Sequence, residues 1–223
     1  MVSQQRAHSA LNLSYVLHER SDSDTVRQYV RAHEAEQRRC GKAIRQLATL
    51  SDAELGSRLI VVDQTGDFGA PLPSVVQIIS VDVGAVDLLP RLLHVAGFWP
   101  PDAEAIAGLL DAAQFRDERS LTFFGAPAAL NAPTLPGDSS TRWLFATAVL
   151  RPGYSSILLR VTALDGGDED RAPDWQSTTH LAEAVIREFP LQWWCARPLW
   201  ERPVEETLPE FQSTENGMTA CGR

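Results

Sequence analysis

The string Ile60-Val61-Val62-Asp63-Gln64-Thr65-Gly66-Asp67 sets a carboxylate at the end of a β-branched run with a Thr-Gly turn behind it. A carboxylate in that position attacks an electrophile only where cations neutralise the charge that develops. Lys42 is the single lysine of the chain, so no lysine after it can serve as a charge clamp or catalytic amine. Asp165-Gly166-Gly167-Asp168-Glu169-Asp170 offers oxygen ligands of the kind calcium takes. It lacks the Asp-x-Asp-x-Asp-Gly spacing and distal Glu of a calcium loop, and reads as a solvated acidic loop. Ser139, in Gly137-Asp138-Ser139-Ser140, sits in a polar turn and not in a Gly-x-Ser-x-Gly elbow. His8, His18, His33, His94 and His180 are too far apart in sequence to pair as metal ligands. No metal, no cofactor and no catalytic residue is assigned from these patterns.

The aromatic residues give a different signal. Trp193, Trp194 and Trp200 crowd the end of the patterned region, with Trp99 and Trp175 expected in loops and Arg197 and Arg202 close by. Adjacent Trp193 and Trp194 on a strand point to opposite faces, so both are covered only if the sheet is covered twice. An exposed Trp beside Arg is a frequent centre of binding energy. Trp175, Trp193, Trp194, Trp200, Arg197 and the acids Asp168 and Asp170 are therefore the candidate partner-binding residues.

The elements that must hold these groups follow from periodicity. Ser21, Ser23 or Asp24 caps a helix from Thr25 to Leu47. Its stripe Val26, Val30, His33, Gln37, Cys40, Ile44, Leu47 lies on one face. Ser51 and Glu54 form a capping box. Leu59–Val62 and Val75–Val81 read as strands joined by a Gly/Pro loop, 85–97 as a helix ending at Gly97, and the stretch after Pro101 as a second helix using Ile106, Leu109, Leu110 and Ala113. Leu121–Phe124 reads as a strand and 125–141 as a long surface loop. Trp143–Leu150 and Ser155–Leu164 read as a hairpin closed by Arg151-Pro152-Gly153-Tyr154, which suits a type II turn. A helix capped by Ser177 or Thr178 runs to Phe189, and Leu191–Cys195 is a last strand. These elements predict an α+β fold. Its sheet is mainly antiparallel or mixed, of about six strands, with three to four packing helices and an N-terminal helical arm. The expected divisions are a flexible stretch 1–20, a basic helical arm 21–57, a core domain 58–200 and a disordered acidic tail 201–223.

Charge narrows the partners. The net charge is −9, spread as +3 over residues 1–47, −5 over 48–164 and −7 over 165–223. An acidic body repels phosphate backbones and anionic lipid, and attracts basic protein surfaces. Cys40, Cys195 and Cys221, odd in number and without a Cys-x-x-Cys, read as reduced thiols in a cytoplasmic compartment. No apolar run is long enough to span a bilayer.

Two resemblances attach to these residues. The string ending in Asp63-Gln64-Thr65-Gly66 resembles the aspartyl-phosphate loop of the haloacid dehalogenase-like phosphotransferases and P-type ATPases, with Gln64 where that ATPase loop has Lys. The element order from residue 58 resembles that of the acetyl-CoA-dependent acyltransferases. That resemblance implies a pyrophosphate held by the amides opening the penultimate helix. Here that place reads Gln176-Ser177-Thr178-Thr179, without glycine and next to the acidic loop. The expected function is thus a non-enzymatic protein-binding module of the inhibitor, immunity-type, adaptor or accessory kind. It meets a basic protein partner, or a second copy of itself, through an acidic surface containing Trp. An acyl-CoA-dependent acyltransferase, or a degenerate relative, is the alternative.

Overall fold

The computed structural model describes residues 2–66, 75–98, 104–112, 121–128, 130–131, 141–164, 174–194 and 197–208. The helices are α1 (Val2–Leu17), α2 (Asp24–Ala48), α3 (Asp52–Ser57), α4 (Leu89–Val95), α5 (Trp175–Glu188) and α6 (Val204–Thr207). The strands are β1 (Leu59–Gln64), β2 (Val75–Val81), β3 (Glu104–Ala112), β4 (Leu121–Phe123), β5 (Ala126–Ala128), β6 (Leu130–Asn131), β7 (Thr141–Leu150) and β8 (Ile157–Ala163). The fold is α+β around a mixed sheet in the order β1-β8-β7-β2-β3-β6, with β4 and β5 forming a separate small hairpin.

The β7–β8 hairpin is the spine of the sheet. Its strands pair antiparallel from Leu144↔Ala163 to Leu150↔Ile157. In the connecting turn the Tyr154 amide donates to the Arg151 carbonyl over 2.9 Å, and Gly153 takes φ +90°. Glycine holds that left-handed conformation without a Cβ clash, as the Pro-Gly turn demands. β1 adds parallel to β8, and β2 adds parallel to β7. The strands β1 and β2, neighbours in sequence, are therefore not neighbours in the sheet.

Both faces of the sheet are covered. Along β7, Trp143, Phe145 and Val149 enter one core while Leu144, Ala146, Ala148 and Leu150 enter the other, the two-residue alternation of a strand. The first core is closed by Tyr15 and Val16 of α1, Ala182, Val185 and Ile186 of α5, the β4–β5 hairpin and the segment 189–208. The second is closed by Cys40, Ala43 and Leu47 of α2, Leu55 of α3 and Leu89, Leu92 and Leu93 of α4. Each large apolar side chain so buried contributes roughly 1.5–3 kcal/mol.

Helix α2 forms as its spacing demands, capped by Ser23, whose Oγ accepts from the Val26 amide. The Ser51/Glu54 box is present at α3. Several expectations are corrected. Residues 2–17, expected to be flexible, are helical, because Leu13, Tyr15 and Val16 find apolar cover on α2 and the C-terminal segment. Glu104–Ala112 is a strand and not a helix. The free edge of β2 captures it in parallel pairing, overriding the helix preference of its Ala and Leu residues. Within the expected loop 125–141, β5 and β6 form, with Ala126, Ala128 and Leu130 buried.

Of the strand expected at Leu191–Cys195, residues 191–194 are described and are not a strand. Pro190–Gln192 makes a 3-10 turn, since Pro190 has no amide to donate to a ladder, and one bridge joins Trp193 to Val83. Helix α5 is capped by Asp174, three residues before the expected cap Ser177, so Trp175 is helical and not in a loop. The tail expected from residue 201 is ordered as far as Leu208, because Val204 and Leu208 are buried in the first core; residues 209–223 lie outside the described residues.

Candidate functional site

Trp193 and Trp200 close the first core, while Trp175 and Trp194 are half-buried. Trp200 stacks flat on Tyr15, ring centroids 4.0 Å apart and planes 8° apart, and is only 3% exposed. The Tyr15 hydroxyl donates to the Arg202 carbonyl (2.9 Å) and lies 2.8 Å from the Thr207 hydroxyl, tying α1 to the segment around α6. Burial pushes that phenol's pKa upward. Trp193, 4% exposed, packs against Phe123 and Phe124 in the same core. Trp194 points to the opposite side, packs half-buried against the second core, and donates from Nε1 to the Gly84 carbonyl over 2.8 Å. The doubly covered sheet thus accommodates both rings.

Trp175 is half-buried, edge-on to Trp143 at 6.4 Å. Arg197 is exposed, and its carbonyl accepts from Asn12 Nδ2 at 2.7 Å. Asp168 and Asp170 lie outside the described residues, as do Ser139, Cys195 and Cys221. The correction is physical: a large ring gains most by leaving water, and a covered sheet has room for it.

Gly84 shows how the Trp193–Trp194 segment is held. Its φ is +63°, and a Cβ there would lie 2.4 Å from the Ala148 carbonyl oxygen. That close approach lets the Gly84 amide donate to the Gln192 carbonyl (2.8 Å). The Gln192 side chain then accepts from the Leu150 amide (2.9 Å) and donates to its carbonyl (2.7 Å). His33 completes the clamp by donating from Nε2 to the Trp193 carbonyl over 2.6 Å, the carbonyl being able only to accept. Burial holds the His33 pKa below the usual histidine value, with the Trp193 bond opposing. On the same helix, burial and then Glu36 push the Cys40 thiol up to about 12, so it is an inert core group and no nucleophile.

Neither resemblance gains a working site. Asp63 Oδ1 accepts from the Thr65 amide (2.8 Å) and hydroxyl (2.7 Å), a self-contained turn at the exposed end of β1. At the start of α5 the amides of Gln176 and Ser177 already donate to the Asp174 carboxylate (3.0 and 3.2 Å). A carboxylate therefore occupies the donors a pyrophosphate needs. A polar cleft of about 290 Å³ lies between α1 and α2, lined by Gln5, Arg6, Ser9, His33, Glu34, Gln37 and Arg38. Its Arg6 is spent on Glu34 at 2.5 Å. Among the described residues no group of His, Cys, Asp and Glu is placed to hold a metal ion.

The strand expected at Leu59–Val62 forms as β1, but its place at the end of the sheet is set by strand order, which the sequence does not show. It is an edge strand, and no described strand pairs with its outer side. The exposed large hydrophobic side chains among the described residues, Ile60 (38%) and Val61 (42%), both sit on it. The Ile157 amide donates to the Arg58 carbonyl over 3.0 Å. Since backbone groups alternate sides along a strand, Ile60 and Val62 face β8, while Leu59, Val61 and Asp63 turn their N–H and C=O groups outward. The run Leu59–Val62 carries no lysine, proline or glycine, the residues that commonly blunt an edge.

No protein-family model matches this chain, and no curated protein is significantly similar to it. Among the described residues no helix is long and apolar enough to cross a membrane.

Proposed function

We propose that this chain is a non-enzymatic protein-binding module, of the inhibitor, immunity-type, adaptor or accessory kind, that works in the cytoplasm by docking a protein strand onto the outer edge of β1. One observation carries the reading: the exposed large apolar side chains Ile60 and Val61 coincide with the open edge of the sheet. Strand addition of this kind draws affinity from main-chain hydrogen bonds and selectivity from alternate side chains. Acidic charge steers the encounter. The segment 165–174 carries Asp165, Asp168, Glu169, Asp170 and Asp174. Trp175 beyond it contacts Trp143 at the sheet end where β1 also finishes. A basic partner is therefore favoured, and its capture weakens as salt screens the attraction.

Val61→Pro tests the edge. The Val61 amide faces outward, so proline there removes a docking donor without removing a bond to β8. Capture from the native host by the wild-type chain, but not by a folded Val61→Pro variant, is the expected result. Equal capture by both moves the binding surface away from β1.

A further inference from the structure

We infer that the cleft between α1 and α2 binds a small hydroxylated carboxylate, whose anionic group pairs with Arg38 while a hydroxyl donates to Nδ1 of His33. The inference stands apart from the β1 edge and uses none of its residues.

The cleft holds more hydrogen-bonding capacity than the protein itself uses. Of its lining residues, the Arg6–Glu34 pair and Nε2 of His33 are engaged. The side chains of Gln5, Ser9, Gln37 and Arg38 make no hydrogen bond with another described group, and Arg38 makes no ion pair.

His33 sets the first requirement on a ligand. Its ring is 6% exposed, and Nε2 is committed to the Trp193 carbonyl. Burial favours the neutral ring, so Nδ1 keeps a lone pair that only a donor satisfies. Among the described residues no group supplies that donor, and a buried acceptor without one is costly.

Arg38 sets the second requirement. Glu34 lies one turn back on the same helix, but Arg6 holds both its oxygens, with Nη2 3.0 Å from Oε2. With that pair neutralised, Arg38 leaves the cleft with one positive charge. A carboxylate matches both the charge and the planar fork of the guanidinium. Residues 1–47 carry +3 in a chain of net charge −9, so an anion meets less repulsion here than over the rest of the molecule. The Gln5 and Gln37 amides and the Ser9 hydroxyl can each donate and accept, which suits further hydroxyls and not an apolar tail. At about 290 Å³ the cleft is at the small end of ligand sites.

Calorimetric titration of the full chain with sodium D-gluconate, a linear polyhydroxy carboxylate, tests this at constant ionic strength. D-glucose lacks the anion and butyrate lacks the hydroxyls. Gluconate is expected to saturate one site with a Kd on the order of 1 mM, and each control to bind at least about 10-fold more weakly. Arg38→Gln should weaken gluconate about 10-fold. Arg31 is exposed on the same helix outside the cleft, so Arg31→Gln removes the same charge and should bind as the wild type does. Because His33 also holds the Trp193 carbonyl, its part is read without replacing it. Saturating gluconate should move the nitrogen resonance of Nδ1 and leave that of Nε2 in place. Four results would each overturn the inference: no saturation up to roughly 50 mM gluconate, glucose or butyrate binding as tightly, equal losses in Arg31→Gln and Arg38→Gln, or an unmoved Nδ1.

Discussion

The closing segment 189–208 and the edge strand β1 invert what their residues suggest. The segment carries Trp193, Trp194 and Trp200 beside Arg197 and Arg202, a composition common at interfaces, yet it buries two of those rings and half-buries the third. β1 reads Leu-Ile-Val-Val, a run typical of a buried strand, yet Ile60 and Val61 are its exposed positions. The difference teaches that apolar character states how much a residue gains from cover, not whether its place in the fold supplies it. Residues 189–208 are brought across the sheet by Gly84, Gln192 and His33. β1 is placed last in the sheet, where nothing described lies beyond it.

The sharpest way to break this contrast is Trp200→Ala. Removing a ring stacked on Tyr15 is expected to cost about 3–5 kcal/mol in urea unfolding. A loss under about 1 kcal/mol would mean that the ring is not core. Next comes Gln192→Leu, which orphans the buried amide and carbonyl of Leu150 at an expected cost of roughly 2–4 kcal/mol. A near-neutral outcome would show that the segment is held by packing alone.

The third effect depends on pH. The folded-state pKa of His33 is depressed, so the unfolded chain binds the extra proton as pH falls below the ordinary histidine value of about 6.5. Its contribution is full above that value and is lost as pH falls through the depressed one. Thermal melts should therefore decline from neutral pH to mild acid, and His33→Gln should flatten that decline. An unchanged slope in the variant would remove His33 from the clamp. The smallest effect is expected at the edge: Ile60→Thr should leave stability within about 0.5 kcal/mol of the wild-type monomer. A larger loss would place Ile60 in a core and erase the contrast.

Local chemistry alone determined much of this protein. The stripe from Val26 to Leu47, the Ser51/Glu54 box and the Pro152-Gly153 turn each act over a few residues, so helix α2, the start of α3 and the β7–β8 hairpin were legible without a structure. An α+β architecture with a mainly antiparallel or mixed sheet was expected from their order; the sheet is mixed, with β1–β8, β2–β3 and β2–β7 parallel. Strand order was not legible. Glu104–Ala112 is helical by propensity and became a strand because an unpaired β2 offered hydrogen bonds that no local pattern encodes. The same holds for the candidate site. Which face of Trp193 or Val61 meets water depends on what the rest of the chain lays over it, and burial is a property of the assembled sheet. Tertiary structure thus buries Trp193 and Trp200 and leaves Ile60 and Val61 exposed on β1, for a strand at an edge and one in the centre can carry the same residues.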